Sequence, residues 1–467
     1  MRRLSNQFNP ELFSSFEKPS KVQFQFTPSQ LTLLGFAFLI LIGSLLLWLP
    51  FSVREFRSDQ FLTALFTSTS AVCVTGLSVV DPGTYYTIPG QIILLVLIQL
   101  GGLGYMTLYS LMLLAVGKRM SLRDRIAMQQ VLDLPGPGGV VRFIFRIALF
   151  TFFFEGLGFL ILAFTWIPQM GISKGLYFAL FHSVSAFNNA GFSLFSDSLM
   201  GFKSQPLILL TIALLVIMGS MGYPVLSELW HRLSNRKEPF RWKYLSLHTR
   251  VCLLSTTVLL VLGTYAFLYL ELHNPQTLAN LSPAEKLLNA FFQSVMPRTA
   301  GFNALDTSHL TQTSLFFMMS LMLVGANPGS TGGGVKTTTI VVILLQAFYV
   351  LKGRQQVTLF QRRISESTLS KAMATVLFSI LWINCVTILM TISEKQDLLK
   401  MLFEVVSAFA TVGLSASLTP LLSPFGQILI IATMYAGRVG VITIGTAIWW
   451  KHRHALVKYP EENLLVS

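Results

Sequence analysis

Eight apolar runs begin near residues 31, 90, 141, 206, 250, 313, 372 and 425. Each is long enough for a membrane-crossing helix, which takes about 20 residues at a rise of about 1.5 Å each. Within each successive pair of runs lies a shorter apolar stretch of about 12 residues, such as FLTALFTSTSAV at 61–72, a length that suits a re-entrant segment better than a span. The pattern predicts an all-α membrane protein of eight transmembrane helices and four re-entrant pore half-helices. Each unit would run outer helix, half-helix, extended loop, inner helix (M1-P-M2).

The half-helix segments FTSTSAVCVTGLS (66–78), FHSVSAFNNAGFS (181–193), FFQSVMPRTAGFN (291–303) and FEVVSAFATVGLS (403–415) repeat one pattern. Each begins with Phe, reaches Gly ten residues later, then has Leu or Phe, then Ser or Asn. Gly76, Gly191, Gly301 and Gly413 are 115, 110 and 112 residues apart, which reads as a fourfold internal repeat rather than four unrelated turn glycines. The expected divisions are a cytoplasmic tail at 1–30, units at 31–118, 140–232, 248–351 and 370–451, and a second tail at 452–467.

A half-helix ending at mid-membrane depth leaves unpaired carbonyls at its C-terminus, and that negative dipole end favours a cation. The extended backbone after it is tolerable in a bilayer only where it lines a wet cavity, and glycine at the turning point lets carbonyls point inward. The candidate ion ligands are the backbone carbonyls of Val74, Thr75 and Gly76; Asn189, Ala190 and Gly191; Thr299, Ala300 and Gly301; and Thr411, Val412 and Gly413. The stretch TVGLS at 411–415 begins like the TVGYG signature of potassium-channel filters, in which four such loops replace the hydration shell of the ion. Its second glycine is missing: the four copies carry Ser78, Ser193, Asn303 or Ser415 there.

Composition agrees with a membrane protein: 53% of the 467 residues are hydrophobic and 12% charged, with a mean hydropathy of +0.63. The first 30 residues contain nothing like a secretory signal, so the first span is the expected insertion signal. The net charge of +14 maps orientation rather than nucleic-acid binding, because Lys and Arg in short loops mark the cytoplasmic side. Arg2, Arg3, Lys18 and Lys21, Lys118, Arg119, Arg123 and Arg125, Arg232, Arg236, Lys237, Arg241, Lys243 and Arg250, Lys352, Arg354, Arg362, Arg363 and Lys371, and Lys451, Arg453 and Lys458 share one side. Both termini are therefore expected in the cytoplasm of a plasma-membrane protein. The opposite side carries Glu55, Asp59, Asp81, Asp197, Glu271, Glu285, Asp306, Glu394 and Asp397, read either as an acidic mouth that concentrates cations or as ordinary loop charges. Cys73, Cys252 and Cys385 have no C-x-x-C spacing and carry no metal or disulfide argument.

The stretch GANPGSTGGGVKTTT at 325–339 interrupts the inner helix of the third unit. Pro328, Gly329, Gly332, Gly333 and Gly334 must open the helix there. A nucleotide-binding P-loop fails, because Val335 separates Gly334 from Lys336 and the stretch lies within a span. A small-residue packing kink is the plain alternative, whereas the intramembrane Lys336 and Arg438 suggest a functional break. Arg298, three residues before Gly301, is expected to point behind its loop and brace it, and Glu155 to make a helix-helix hydrogen bond.

The four single-glycine P-loops, together with the 325–339 stretch, resemble the Trk/Ktr/HKT superfamily of potassium transporters, and most closely its bacterial Ktr-type (KtrB-like) pore subunits. That resemblance implies a pseudo-fourfold pore that is no enzyme, with potassium as the transported ion and no covalent cofactor. It implies a homodimer in the lipid bilayer and a cytosolic RCK-type nucleotide-binding partner (KtrA/TrkA-like). It also implies a gate built from Gly325, Pro328, Gly329, Gly332, Gly333, Gly334 and Lys336 beneath the filter, with Arg438 beside it. Sodium enters as a possible activator or coupled ion, which leaves a sodium-coupled symporter as one rival. A second is the ion-binding subunit of a potassium-pumping ATPase, which is expected to be longer, with ten spans.

Overall fold

Helix starts are written in the local sequence. Thr27 caps the first helix, α1 (Pro28–Trp48), in a capping box with Gln30, with Pro28 opening the first turn. Ser246 and Ser365 likewise cap two of the long outer helices, α8 (Leu247–Glu271) and α12 (Glu366–Ser393). The computed structural model describes residues 27–55, 57–104, 139–234, 241–354 and 356–449, with positions 107, 110 and 129 between them. The basic residues Arg2, Arg3, Lys18, Lys21, Lys118, Arg119, Arg123, Arg125, Arg236, Lys237, Lys451, Arg453 and Lys458 lie outside the described residues.

Four units follow one another. The first holds α1, α2 (Phe61–Val72) and α3 (Ile88–Leu103); the second α4 (Val140–Met170), α5 (Ile172–Phe187), α6 (Pro206–Ser220) and α7 (Tyr223–Ser234). The third holds α8, α9 (Pro283–Val295), α10 (Gln312–Leu323) and α11 (Thr337–Leu351); the fourth α12, α13 (Leu398–Phe409), α14 (Pro424–Val439) and α15 (Val441–Trp449). The outer helices α1, α4, α8 and α12 are long and apolar enough to cross a membrane. They present large apolar side chains outward, among them Leu34, Phe38, Phe152, Leu262, Leu377 and Leu381, as a lipid-facing surface requires.

The inner helices are the structural difference from eight uninterrupted spans. Only the third unit was expected to break, yet α6 and α7 meet at 99° and α14 and α15 at 89°. The turns fall at Gly222 and Gly440, both with positive φ, and α3 ends at Gly104 with φ +77. A shared motif explains this: GGLG at 101–104, GSMG at 219–222 and GRVG at 437–440. The first glycine of each lets the inner helix lie against the last carbonyls of its own pore helix, Gly101 on Val72, Gly219 on Phe187 and Gly437 on Phe409. The last adopts the left-handed turn.

At the centre are the four pore helices α2, α5, α9 and α13, buried even along polar stretches such as Ser68–Ser70 and Ser183–Ser185. Their hydroxyls are satisfied against the outer helices: Ser68, Ser183 and Ser294 donate to the carbonyls of Ile40, Glu155 and Leu260 at 2.8, 2.6 and 2.9 Å. Ser294 stands seven residues before Gly301, whereas Ser68 and Ser183 stand eight before theirs. The third pore helix is thus offset by one residue from the sequence alignment, with Phe292 buried and Phe291 only partly so.

Candidate functional site

The four loops after the pore helices meet in a closed ring. A side chain added at Gly76 would lie 2.5 Å from the Ala190 carbonyl oxygen, and one at Gly191 would lie 2.7 Å from that of Ala300. One at Gly301 would strike the Val412 carbonyl, and one at Gly413 the Thr75 carbonyl, which returns the ring to its start. All four glycines have positive φ, from +68° at Gly191 to +95° at Gly76, a conformation open to glycine without steric cost.

The backbone is pinned so that amides face the pore helices. Thr75, Ala190 and Val412 donate their N–H groups to the carbonyls of Ser70, Ser185 and Ser407 at 2.7, 2.8 and 2.8 Å, and Ala300 donates to Met296 at 3.0 Å. Gly76 and Gly413 donate to the hydroxyls of Ser70 and Ser407 at 3.0 and 3.1 Å. The carbonyls of Thr75, Ala190, Ala300 and Val412 accept no hydrogen bond among the described residues. Four free carbonyls, one from each loop, with four helix C-termini converging behind them, make an environment suited to a desolvated cation.

A second strained position recurs in every loop. Val74, Asn189, Thr299 and Thr411, two residues before each glycine, have φ of 57°, 59°, 67° and 52°. Left-handed backbone at a non-glycine residue costs about 1–3 kcal/mol and persists only where the surroundings impose it. Sequence reading placed the turning point at glycine alone; the one visible signal was Asn189, a residue type that tolerates this conformation.

The expected break spans Val324 to Lys336. It is closed by a parallel bridge between Val324 and Val335 and by the Gly325 amide donating to the Val335 carbonyl at 2.8 Å. Its tip reaches the inner ends of loops three and four: Gly333 donates to the Thr411 hydroxyl at 3.1 Å, and Gly332 packs on Thr299. Pro328 and Gly329 face the turn of the second unit, where Tyr223 donates to the Gly329 carbonyl at 2.8 Å and Gly222 abuts the Pro328 carbonyl. Lys336 folds back to donate to Gly332 at 2.7 Å. Arg438 donates to the carbonyls of Thr331 and, at 2.5 Å, of Gly101. The structure therefore gathers the glycine break, Lys336 and Arg438 at the base of the ring.

Glu155 and Arg298 find partners behind the loops. Glu155 accepts from the Asn188 amide at 3.0 Å, the helix-helix hydrogen bond expected of it. Asn188 is the residue that ends α5. Arg298 is 2% exposed and donates to Thr256 of α8 at 3.2 Å, away from the ring. Two members of the expected acidic mouth are structural: Glu271 accepts from Thr311, and Glu394 from Ser423, the residues capping α10 and α14. Among the described residues no three His, Cys, Asp or Glu side chains gather as a metal site.

Comparison with known proteins agrees with this architecture. A family model described as TrkH, cation transport protein, matches residues 16–454. The Ktr system potassium uptake protein B of Vibrio alginolyticus is 40% identical over 439 residues, covering 94% of each chain. The potassium/sodium uptake protein NtpJ of Enterococcus hirae is 37% identical over 457 residues, 96% of this chain and 99% of its own. The crystal structure of the potassium transporter TrkH from Vibrio parahaemolyticus shares the fold, with a TM-score of 0.71 over 91% of this chain and 86% of that one, at 18% identity. With a family match over most of its length and two relatives above 30% identity, the chain belongs to the TrkH cation transport family, within the Trk/Ktr/HKT superfamily.

Proposed function

We propose that the chain is the pore-forming subunit of a potassium uptake system, passing potassium through the centre of the loop ring down its electrochemical gradient. The observation that carries this reading is the closed ring in which each loop glycine abuts a free carbonyl of the next loop. Relatives named for potassium uptake support potassium as the ion. The carbonyls of Val74, Thr75 and Gly76 and of their counterparts in the other loops stand in for water around the ion. The segment 325–336, held by Arg438, obstructs the path at its inner end.

Both termini lie in the cytoplasm in this reading, and the chain works as a homodimer. Regulation comes from a cytosolic RCK-type ring that docks on the basic loops, since the segments between spans are too short to form a sensing domain. NtpJ is named for both potassium and sodium, which makes sodium coupling the second reading. Flux into proteoliposomes separates them: a pore takes up potassium with no sodium present, whereas a coupled carrier takes up none.

A further inference from the structure

Behind the outer end of the ring, the four units differ in one column. Nine residues before Gly191 and Gly413 stand His182 and Glu404, both fully buried. Two residues after those glycines stand Ser193 and Ser415. The His182 Nε2 lies 3.0 Å from the Ser193 hydroxyl, and the Glu404 carboxylate accepts from the Ser415 hydroxyl at 2.8 Å. Glu404 also accepts from Thr419, just beyond the loop.

The direction of these bonds is fixed by what else the serines do. The Ser415 oxygen receives the backbone N–H groups of Leu418 and Thr419 at 3.2 and 3.4 Å, so its single proton goes to Glu404. In the second unit, His182 Nδ1 sits 2.8 Å from the Phe178 carbonyl and must carry the ring proton, which leaves Nε2 to accept from Ser193 at 3.0 Å, nearer than the Ser198 carbonyl that shares the same hydroxyl proton at 3.3 Å. The Ser193 oxygen in turn receives the Phe195 amide at 3.0 Å. Each brace is a buried acceptor on the pore helix gripping a serine that organises the chain leaving the loop.

The other two units lack it. Thr67 turns its hydroxyl back to the Thr63 carbonyl at 2.9 Å, and Ser78 donates to Val80 instead. In the third unit the one-residue offset brings Gln293 into the column, where neither of its polar atoms has a partner among the described residues, while Asn303 accepts from Thr307 at 3.1 Å. In the ring order given by the glycine contacts, the braced loops two and four stand opposite each other.

We infer that His182 and Glu404 are positioning residues that set ion selectivity by fixing the outer ends of loops two and four, so that the outer pore has twofold rather than fourfold rigidity. This rests on the pore reading above. A carbonyl ring discriminates between cations by size when it resists closing on the smaller one. The brace supplies that resistance along one diagonal of the ring.

Two substitutions test it. Glu404→Gln preserves shape but leaves one acceptor oxygen where two now accept, so Ser415 and Thr419 can no longer each donate to an oxygen of their own. Ser415→Ala removes the gripped hydroxyl and leaves Glu404 its bond to Thr419. The readouts are the potassium-to-sodium flux ratio in proteoliposomes and the thermal midpoint of the purified protein. The expected result is a ratio about threefold to tenfold below wild type in both variants, the net scale of one hydrogen bond, with potassium flux retained. Glu404→Asp, which keeps both acceptors on a shorter stem, should restore part of the ratio. If Glu404→Gln does not fold, Ser415→Ala decides. A wild-type ratio in a folded Ser415→Ala protein overturns the inference while leaving the pore reading intact. A wild-type chain without potassium preference overturns the pore reading itself.

Discussion

Arg438 donates a hydrogen bond to the carbonyl of Thr331, joining the inner helix of the fourth unit to the break in the third. Its second donor, on Gly101 at 2.5 Å, adds the inner helix of the first unit. One guanidinium thus ties three units together at the base of the ring. Arg438→Gln cannot reach both carbonyls, and hydrogen bonds to charged groups contribute about 1.5–3 kcal/mol each. We expect potassium flux to rise by about fivefold or more, with a lower thermal midpoint. Unchanged flux in a folded variant would show that the tie does not hold the path closed.

Removing Gly332, Gly333 and Gly334 withdraws the tip that packs on Thr299 and Thr411. Flux should increase and its regulation weaken. Unchanged or abolished flux in a folded deletion would return the break to the status of a packing kink.

The Asn188 amide donates to Gln99 at 2.8 Å, to Glu155 at 3.0 Å and to the Val184 carbonyl at 2.9 Å. Asn188→Ala deprives the buried Glu155 and the half-buried Gln99 of a donor at once, and a stability loss of about 1–3 kcal/mol is expected, seen as a lower thermal midpoint. Glu155→Gln keeps an oxygen toward Asn188 and should lose less. The opposite order would remove Glu155 from its bracing role.

Ligand control is expected to need a second protein. Nucleotide should leave flux through the purified chain unchanged and alter it only once a cytosolic RCK-type subunit is added. Full nucleotide control of the chain alone would refute that division of labour.

The repeat was legible because the ring needs the same glycine four times, and backbone geometry admits no other residue there at low cost. The four long outer helices and the third-unit break followed from apolar length and from Pro328 and the glycines around it. The bends at Gly222 and Gly440 were hidden because apolar sequence runs on through them, so a window of hydropathy sees one span where the backbone turns. Comparing GGLG, GSMG and GRVG across units would have exposed them. The strain at Val74, Thr299 and Thr411 had no signal at all, since β-branched residues ordinarily avoid positive φ. Glu271 and Glu394 read as mouth charges because capping across a unit depends on residues 40 and 29 positions away, Thr311 and Ser423.

The central claim is that the four loops form one selective ring, and Gly76 and Gly413 test it most directly. Serine at either position meets two obstacles: a left-handed φ of +95° or +92°, and a neighbouring loop carbonyl, that of Ala190 or Thr75, where its Cβ would stand. The carbonyl has to move, and the site it helps build changes. The deciding measurement is the potassium-to-sodium flux ratio of wild type, Gly76→Ser and Gly413→Ser in proteoliposomes. The account predicts potassium preference in the wild type and a ratio at least about fivefold lower in each variant, in line with about 1–3 kcal/mol of backbone strain. A ratio equal to wild type in both, with the proteins folded, would contradict it.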